Sequence, residues 1–329
     1  MKLVLFGVQD FEKPIYRQKN KESFNFELSF VDSALTEEHV SQLASASAIS
    51  IFANNPLDKA LLSFIRAQGV KLILLRSTGY DHVDITAAKE LGMTVMNVPG
   101  YSPQSVAEHA VTLLLCLYRK MFLLQKRLIN SQFALNGNLG ESVYDKTIGV
   151  IGVGDIGSAY ASIMKGFGCR VIGYDPAVSE SKPELLEWVS LNEIWQQADV
   201  ISLHCPLNET TNHLINKETI EKMKQGVTII NTARGPVIRT TDLIDALDTN
   251  KVRYAGLDVY EYEKNLFFKD HAKSVDDAMF NRFKQMDNVV ITPHIAFYTN
   301  DSIDNIAYTT LLNVQNFNKF GDKAPNVVE

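Results

Sequence analysis

Short apolar runs alternate with amphipathic stretches along the whole chain. In the first hundred residues, the runs with the length and composition of buried strands are Lys2–Val8, Ala48–Ala53, Leu72–Leu75 and Thr94–Val98. The apolar residues that recur at helical spacing before Gly69 are Leu57, Ala60, Leu61, Phe64 and Ile65. Alternation of this kind predicts a parallel sheet with helices on its faces.

A long apolar helix is predicted after the turn Pro99-Gly100. Ser102 suits an N-cap and Pro103 the first helical position, and the helix is expected to continue to about Asn130. Its apolar residues between positions 110 and 117 cover most of the circumference, so it must be buried on several sides. It is either a bridge between two domains with a share in a subunit interface, or the central core helix of a monomer.

The alternation resumes in the second half of the chain. The predicted strands are Thr147–Ile151, Cys169–Tyr174, Val200–His204, Val227–Asn231, Tyr254–Val259 and Val289–Thr292. The predicted helices are Ser158–Phe167, Thr241–Leu247 and a last amphipathic one from Ile303 to Phe317. The sequence therefore predicts two α/β lobes, of which the N-terminal one is smaller and receives the final helix. The cleft between the lobes is the expected ligand site.

The strand at Thr147–Ile151 leads directly into a glycine-rich turn. Gly152-x-Gly154-x-x-Gly157 is followed by a predicted helix, a second strand and Asp175. Glycine permits the tight turn, the approach of the backbone to a pyrophosphate and close packing of helix on strand. The helix N-terminus favours an anion, and an acid after the second strand can accept hydrogen bonds from an adenosine ribose. The full βαβ context predicts dinucleotide binding.

The same motif favours NAD over NADP. The Asp175 carboxylate would repel a 2′-phosphate, and the following Ala177-Val178-Ser179 supplies no cation to bind one.

Length and composition narrow the protein's class. The chain has 329 residues, enough for about two domains. Its net charge of −6 gives no indication of binding to nucleic acid or a membrane surface. The three cysteines match no zinc spacing, so we expect no metal site and a reducing, cytoplasmic compartment. We also expect no signal peptide and no membrane helix.

Three charged residues follow predicted strands of the second lobe: Arg234, Glu263 and His294. Open α/β sheets place their ligands beyond the carboxyl ends of strands. A cationic His can donate a proton to an oxygen that gains negative charge during hydride transfer, and a carboxylate beside it favours the protonated form. An Arg can hold a substrate carboxylate. Taken singly, each residue also suits a surface or loop position.

Several segments carry a resemblance when they are taken together. They are Ser77–Asp84, Asn97–Pro103, Val106–His109, Gly152–Gly157 with Asp175, His204–Leu207, Asn231–Gly235, Gly256–Glu263 and Pro293-His294. In this order, over nearly the whole chain, they resemble the motifs of the D-2-hydroxyacid dehydrogenase family. Leu266–Phe268 and the charged insert before Pro293 resemble its bacterial fermentative D-lactate dehydrogenase subgroup.

The resemblance implies a role for each matching residue. His294 would be the general acid/base, Glu263 its partner and Arg234 the substrate-binding cation. The implied substrate-binding residues are Phe52, Thr78, Gly79, Tyr101 and Phe297, with the backbone of Thr78 and Gly79 holding the carboxylate. The implied NAD-binding residues are Gly152, Gly154, Asp155, Ile156, Gly157, Asp175, Cys205, Pro206, Thr232, Ala233 and Asp258. The three aromatic residues suit core packing equally well.

Other histidines and Cys205 are expected to have no chemical role. His39, His82, His109, His204, His213 and His271 are interpreted as structural or exposed, and Cys205 as a packing residue.

The resemblance also implies the organisation of the molecule. Residues 1–100 and 300–329 would form a flavodoxin-like substrate domain, and residues 101–299 the Rossmann NAD domain. Closure of the two lobes would exclude water and bring Thr78 and Gly79 towards Arg234 and His294. A homodimer or homotetramer is expected, because members of the family are commonly dimers or larger.

The sequence leaves alternatives open for both the substrate and the class of function. A wall of Phe52, Tyr101 and Phe297 suits the methyl group of pyruvate, and the loop at 76–80 has no cation besides Arg76 to bind a phosphorylated substrate. A bulkier 2-oxo acid is the alternative, since one methylene changes discrimination by only about 1–3 kcal/mol. A third alternative is a protein that binds NAD as a sensor. The presence of all three residues Arg234, Glu263 and His294 argues against this alternative.

Overall fold

Two separate parallel sheets form the framework of the protein, each within its own unit of the chain. The computed structural model describes residues 1–177, 185–268, 270–271 and 275–328. The remaining residues, which include Val178, Ser179 and part of the charged insert before Pro293, lie outside the described residues. The first unit is Met1–Ser102 with Tyr298–Glu329, and the second is Pro103–Phe297.

The strands alternate with helices in chain order. The strands are β1 Lys2–Phe6, β2 Glu27–Val31, β3 Ala48–Ile51, β4 Leu72–Leu75, β5 Thr94–Met96, β6 Thr147–Ile151, β7 Arg170–Tyr174, β8 Glu187–Trp188, β9 Val200–Leu203, β10 Val227–Asn231, β11 Val252–Leu257 and β12 Val289–Ile291. The helices are α1 Glu12–Ser23, α2 Val40–Leu43, α3 Lys59–Ala67, α4 Ile85–Glu90, α5 Pro103–Tyr118, α6 Met121–Ile129, α7 Asp155–Gly166, α8 Leu191–Gln197, α9 Lys217–Lys222, α10 Thr240–Asp248, α11 Ala278–Lys284 and α12 Asn300–Phe320.

The sheet of the first unit has the order β2-β1-β3-β4-β5 among the described residues, with every pair parallel. Both faces are covered, as the continuous apolar runs of its strands require. On one face the core contains Ile49, Ile73 and Leu62, and on the other it contains Leu3, Leu72 and Leu311. Since Leu311 belongs to α12, the C-terminal helix packs into the core of the first unit.

The sheet of the second unit has the order β12-β11-β10-β9-β6-β7-β8, also with parallel pairs. The first strand of this unit, β6, lies between β7 and β9, so the strand order reverses there. Such a switch point leaves a crevice at the carboxyl ends of the strands, where open α/β sheets bind their ligands. The two parallel sheets confirm the predicted α/β fold class.

The long helix predicted to reach Asn130 is two helices, so that prediction was wrong. Helix α5 ends at Tyr118, and Lys120 adopts a left-handed conformation with a φ of +51° before α6 begins. The chain that returns at residues 137–141 satisfies the end of α5, because the Glu141 N–H donates to the Tyr118 carbonyl at 2.8 Å. The Lys120 ammonium donates to the Gly137 carbonyl at 2.9 Å. These are contacts with residues far along the chain, which helical periodicity does not reveal.

Candidate active site

The residues predicted to carry chemistry in the second unit follow strands that end at one edge of its sheet. The glycine turn follows β6 and Asp175 follows β7, which are neighbours in the sheet. Arg234, Asp258 and His294 follow β10, β11 and β12, which are also consecutive neighbours. The fold therefore places a dinucleotide motif and a group of charged residues along the same edge.

The glycine turn has the geometry that its sequence predicts. Gly152 has a φ of +87°, and a Cβ there would lie 2.6 Å from the backbone nitrogen of Cys205. A Cβ on Gly157 would lie 2.0 Å from the Gly152 carbonyl oxygen, so helix α7 packs directly on the turn. Gly154 is exposed, and a Cβ on it would meet no atom within 4 Å. The first N–H groups of α7, at Asp155 and Ile156, thus begin beside an open backbone surface that fits a pyrophosphate.

Asp175 is fixed beside this turn by two backbone donors. Its Oδ2 accepts the Val153 N–H at 2.8 Å, and its Oδ1 accepts the Ala177 N–H at 2.9 Å. The carboxylate is therefore held at the end of β7, the position from which an acid can reach a ribose.

Cys205, in the segment after β9, is buried. Burial raises the pKa of the Cys205 thiol to about 11, so the sulfur is a neutral packing group at physiological pH. Burial also lowers the pKa of His204 to about 3, and its Nε2 lies 2.9 Å from the Ser202 hydroxyl. Pro206, which follows, is exposed. The backbone of Cys205 thus lies against the glycine turn, and the uncharged Pro206 beside it is exposed.

His294 and Glu263 form a close pair. The Nδ1 atom of His294 lies 2.7 Å from Oε1 of Glu263, and each side chain is about one-fifth exposed, at 20% and 19%. The other carboxylate oxygen of Glu263 accepts the Tyr260 N–H at 2.8 Å. Because Nδ1 is engaged by the carboxylate, Nε2 is the ring nitrogen available for proton exchange. The Phe268 ring covers the imidazole, with 5.5 Å between centroids.

Asp258 anchors the loop that carries His294. Its carboxylate accepts the Thr292 hydroxyl at 2.6 Å and the N–H groups of Ile295 and Ala296 at 2.9 Å each. The His294 N–H donates to the Asp258 carbonyl at 2.7 Å, and His294 itself has a φ of +56°. A left-handed backbone at a non-glycine residue persists only where its surroundings impose it. Asp258 was predicted as a cofactor-binding residue, and the observed contacts give it a structural task as well.

Arg234 lies in a turn that holds its backbone firmly. The Asn231 side-chain amide donates to the Arg234 carbonyl at 3.0 Å, and the Arg234 guanidinium donates to the Ala233 carbonyl at 2.7 Å. The neighbouring Thr232 and Ala233 are buried, and the Ala233 N–H donates to the Asn231 side chain. The turn therefore presents a half-buried guanidinium at the end of β10.

The first unit contains a loop with two unused backbone donors. The Thr78 hydroxyl donates to the Val98 carbonyl at 3.0 Å, and the Asn97 amide donates to the Thr78 carbonyl at 2.7 Å. Within the part of the chain that the structure describes, the N–H groups of Thr78 and Gly79 donate to no protein acceptor. Two consecutive backbone N–H groups of this kind can donate to an anion such as a carboxylate.

Arg76, which precedes this loop, points into the protein. Its guanidinium is buried and donates to the carbonyls of Phe6 and Gly7 at 2.7 and 3.1 Å. It also lies 5.8 Å from the centroid of the Phe52 ring. Phe52 and Tyr101 in this unit, and Phe297 in the other, are half-buried. The Arg76 guanidinium is thus not on the surface.

Three features of this region were missed by the sequence reasoning. Phe268 lies on His294, and His109 of α5 lies 2.9 Å from the Thr292 hydroxyl and 3.4 Å from Asp258. A second His–carboxylate pair joins His213 to Glu261. His109 could have been found from its position on the buried face of α5, and Glu261 from its position two residues before Glu263.

Among the described residues, no cluster of His, Cys, Asp and Glu could hold a metal ion, and no helix could span a membrane.

The chain is similar in sequence and fold to several D-2-hydroxyacid dehydrogenases. The family model described as the NAD binding domain of the D-isomer specific 2-hydroxyacid dehydrogenases matches residues 111–296. The D-lactate dehydrogenase of Escherichia coli (strain K12) is 42% identical over 328 residues, which are 99% of either chain. The D-lactate dehydrogenase of Aquifex aeolicus, solved with NAD and lactic acid, matches with a TM-score of 0.89 and 35% identity over 99% of this chain and 98% of that one. D-2-hydroxyisocaproate dehydrogenase also matches with a TM-score of 0.89, at 33% identity over 100% of this chain and 99% of that one.

Proposed function

Because this chain belongs to the D-isomer specific 2-hydroxyacid dehydrogenases, a family of NAD-dependent oxidoreductases, we propose that it reversibly reduces pyruvate to D-lactate. The observation that carries the proposal is the His294–Glu263 pair, held in a fixed loop at the sheet edge that also bears the dinucleotide turn. The name of the Escherichia coli relative, D-lactate dehydrogenase, supports the choice of substrate.

The second unit has the residues that would hold NAD. The exposed backbone of Gly154 and the start of α7 would bind the pyrophosphate, and Asp175 the adenosine ribose. Cys205 and Pro206 would border the adenine, and Thr232, Ala233 and Asp258 would lie on the nicotinamide side. When bound, NADH supplies a hydride to the carbonyl carbon of the substrate.

His294 is the proposed acid and base of the reaction. In its protonated form it donates a proton from Nε2 to the substrate oxygen, on which negative charge develops as the carbonyl is reduced. Glu263 stabilises the imidazolium through Nδ1 and fixes the orientation of the ring. In the reverse direction, neutral His294 removes the hydroxyl proton of lactate.

Arg234, Thr78 and Gly79 are the proposed ligands of the substrate carboxylate. A guanidinium matches a carboxylate in charge and geometry and also polarises the adjacent carbonyl. The two unused N–H groups at Thr78 and Gly79 provide further donors for the carboxylate oxygens. In this proposal the first unit is the substrate domain and the second is the NAD domain, with Phe52, Tyr101 and Phe297 enclosing the substrate methyl group.

The choice between pyruvate and a bulkier 2-oxo acid rests on the size of this aromatic enclosure. Initial rates of NADH oxidation with pyruvate, phenylpyruvate and 2-oxoisocaproate would give kcat/KM for each. We expect pyruvate to have the highest value. A higher value for 2-oxoisocaproate would move the assignment to the activity in the name of the 33% identical D-2-hydroxyisocaproate dehydrogenase. Tight NADH binding without turnover on all three would favour an NAD sensor.

We also propose a cytoplasmic homodimer or homotetramer that regenerates NAD in fermentation. All three cysteines, Cys116, Cys169 and Cys205, are free thiols, which suits a reducing compartment.

Residues 121–144 expose an unusual number of large apolar side chains, which supports contact with a second copy. The exposed side chains are Met121, Phe122, Leu128, Ile129, Phe133, Leu135, Leu139 and Tyr144.

A further inference from the structure

We propose that Glu261, which pairs with His213, is a positioning residue. It holds the turn that contains Arg234 (residues 234–240) against the loop that contains Glu263 (residues 258–263). The proposal deepens the function above, because it rests on the roles assigned to Arg234 and Glu263. The His213–Glu261 pair is the second His–carboxylate pair of this region. From the sequence, His213 was expected to be only structural or exposed.

The pair is close and largely shielded. The Nε2 atom of His213 lies 2.7 Å from Oε1 of Glu261, whose side chain is only 9% exposed. The second oxygen, Oε2, accepts the Thr240 N–H at 2.9 Å. Both carboxylate oxygens are therefore engaged by protein donors, which argues against direct contact with a substrate.

Thr240 is the first residue of α10, the helix that follows the Arg234 turn. Arg239 precedes this helix and provides no side-chain cap. Glu261 instead supplies an acceptor from another loop to an N–H group that would otherwise lack a partner in the helix. The carboxylate thus fixes the downstream end of the turn that begins at Arg234.

The segment that contains His213 is hydrogen-bonded to the same turn. The His213 backbone N–H donates to the Pro236 carbonyl at 2.8 Å, and the Ile215 N–H donates to the Val237 carbonyl at 3.0 Å. The segment that carries His213 therefore runs beside the turn and is tied to it by backbone hydrogen bonds. The His213–Glu261 pair then joins this segment to the loop that contains Glu263.

The two loops also touch directly through their backbones. A Cβ on Gly235 would lie 2.2 Å from the carbonyl carbon and oxygen of Tyr260, and 2.5 Å from the Glu261 nitrogen. Only glycine permits this approach. The N–H of the same Tyr260 donates to Glu263. A displacement of Glu261 would therefore be transmitted both to Arg234 and to the carboxylate that pairs with His294.

The surroundings of Glu261 favour its ionised form. Burial opposes ionisation of Glu261, but hydrogen bonds from the Thr240 N–H and from His213 outweigh it, so its carboxyl pKa is lowered. Arg239 adds a cation, with its Nη2 3.5 Å from Nδ1 of His213, and Arg239 in turn lies 3.9 Å from Asp242. Glu261 is thus a carboxylate at physiological pH and keeps both hydrogen bonds.

The test compares Glu261→Ala with Glu261→Gln, and uses Glu221→Ala on the exposed face of α9 as the control. In Glu261→Ala, we expect the KM for pyruvate to rise and kcat to fall, each about tenfold or more, because small displacements of binding and catalytic groups have large effects. NADH affinity should change less than the KM for pyruvate, because the residues proposed to bind the pyrophosphate and ribose follow β6 and β7, not the loosened loops. Glu261→Gln should recover most of the activity, since its amide can accept from Thr240 and donate to His213.

A second readout does not depend on activity. Hydrogen exchange in Glu261→Ala should become faster in residues 234–240 and 258–263, with residues 147–157 unchanged. Unaltered exchange in those two loops would overturn the positioning role, as would a variant with a lower Tm but wild-type KM and kcat well below that Tm. If the wild type itself turned over no 2-oxo acid, the proposed function would fail, while the exchange result would still test the coupling of the loops.

Discussion

His294 is held from several directions, as the proposed role of proton donor requires. Glu263 engages Nδ1 at 2.7 Å, Phe268 lies against the ring, and Asp258 fixes the backbone on both sides of the residue. The positions of His294, Glu263 and Arg234 could be predicted, because each follows a recognisable strand. The anchoring by Asp258 and Thr292 could not, because it depends on the packing of β11 beside β12.

Replacing His294 separates its chemistry from cofactor binding. We expect His294→Ala to lower kcat for pyruvate reduction by about 10²–10⁴-fold, the range associated with loss of a general acid. NADH affinity, measured by fluorescence titration, should be preserved. His39→Ala, in the first unit, is a matched control and should keep its activity. An unchanged kcat in His294→Ala would refute the assignment of the acid and base.

His204 predicts a dependence of stability on pH. Its pKa is about 3 in the folded protein and about 6.5 in an unfolded chain. Between these values the unfolded chain binds more protons, so stability is lost as the pH falls from 6.5 towards 3. We expect the free energy of unfolding to fall less steeply over this interval in His204→Gln, which cannot titrate but can bond to Ser202. Denaturant titrations from pH 7 to 4 would show this, and equal slopes for the two proteins would contradict it.

At the scale of elements, the glycine turn at residues 152–157 was predictable because the residues that form it are close together in the sequence. A strand, three glycines at fixed spacing and a helix lie within one short stretch, and the structure has β6, the turn and α7 there. The break between α5 and α6 was not predictable. It depends on the chain at residues 137–141, which returns to satisfy the end of α5. The sequence reasoning likewise did not name α1 or β2, whose apolar pattern is weaker.

Two glycine substitutions in this turn should have different consequences. Gly157→Ala would place a Cβ 2.0 Å from the Gly152 carbonyl oxygen, so we expect a lower Tm of the protein without cofactor. Gly154→Ala would meet no protein atom within 4 Å, so the Tm should remain near that of the wild type. Its NADH affinity should fall at least severalfold, because the added methyl group would obstruct the pyrophosphate. A Gly154→Ala variant with unchanged NADH affinity would show that the backbone there does not approach the cofactor.

At the scale of the whole molecule, the segment from residue 121 to 144 is distinguished by its many exposed large apolar side chains. None of the residues of α6 is buried, and Leu135 and Leu139 after it are each 88% exposed. Exposed apolar surface of this extent is typical of an interaction site. The prediction of a buried helix rested on residues 110–117, which lie in α5, where most of them are buried. The exposed side chains belong to α6 and the chain after it, and they support the proposed contact with a second copy.

This surface predicts how the protein associates. One chain has a mass of 36.8 kDa, and light scattering of the wild type should give twice or four times this mass. The double substitution Leu135→Glu and Leu139→Glu would place two charges in the proposed interface, so we expect the mass to fall towards that of one chain. Val40→Glu, at an exposed apolar residue of the first unit, is the control. A wild-type protein that is monomeric at micromolar concentration would contradict the proposal.

The stereochemistry of the product tests the central claim most directly. Purified protein would be incubated with NADH and pyruvate, and the lactate formed would be resolved into its two enantiomers. We predict D-lactate alone, in an amount equal to the NADH oxidised. L-lactate, a racemic product or no oxidation of NADH would contradict the assignment.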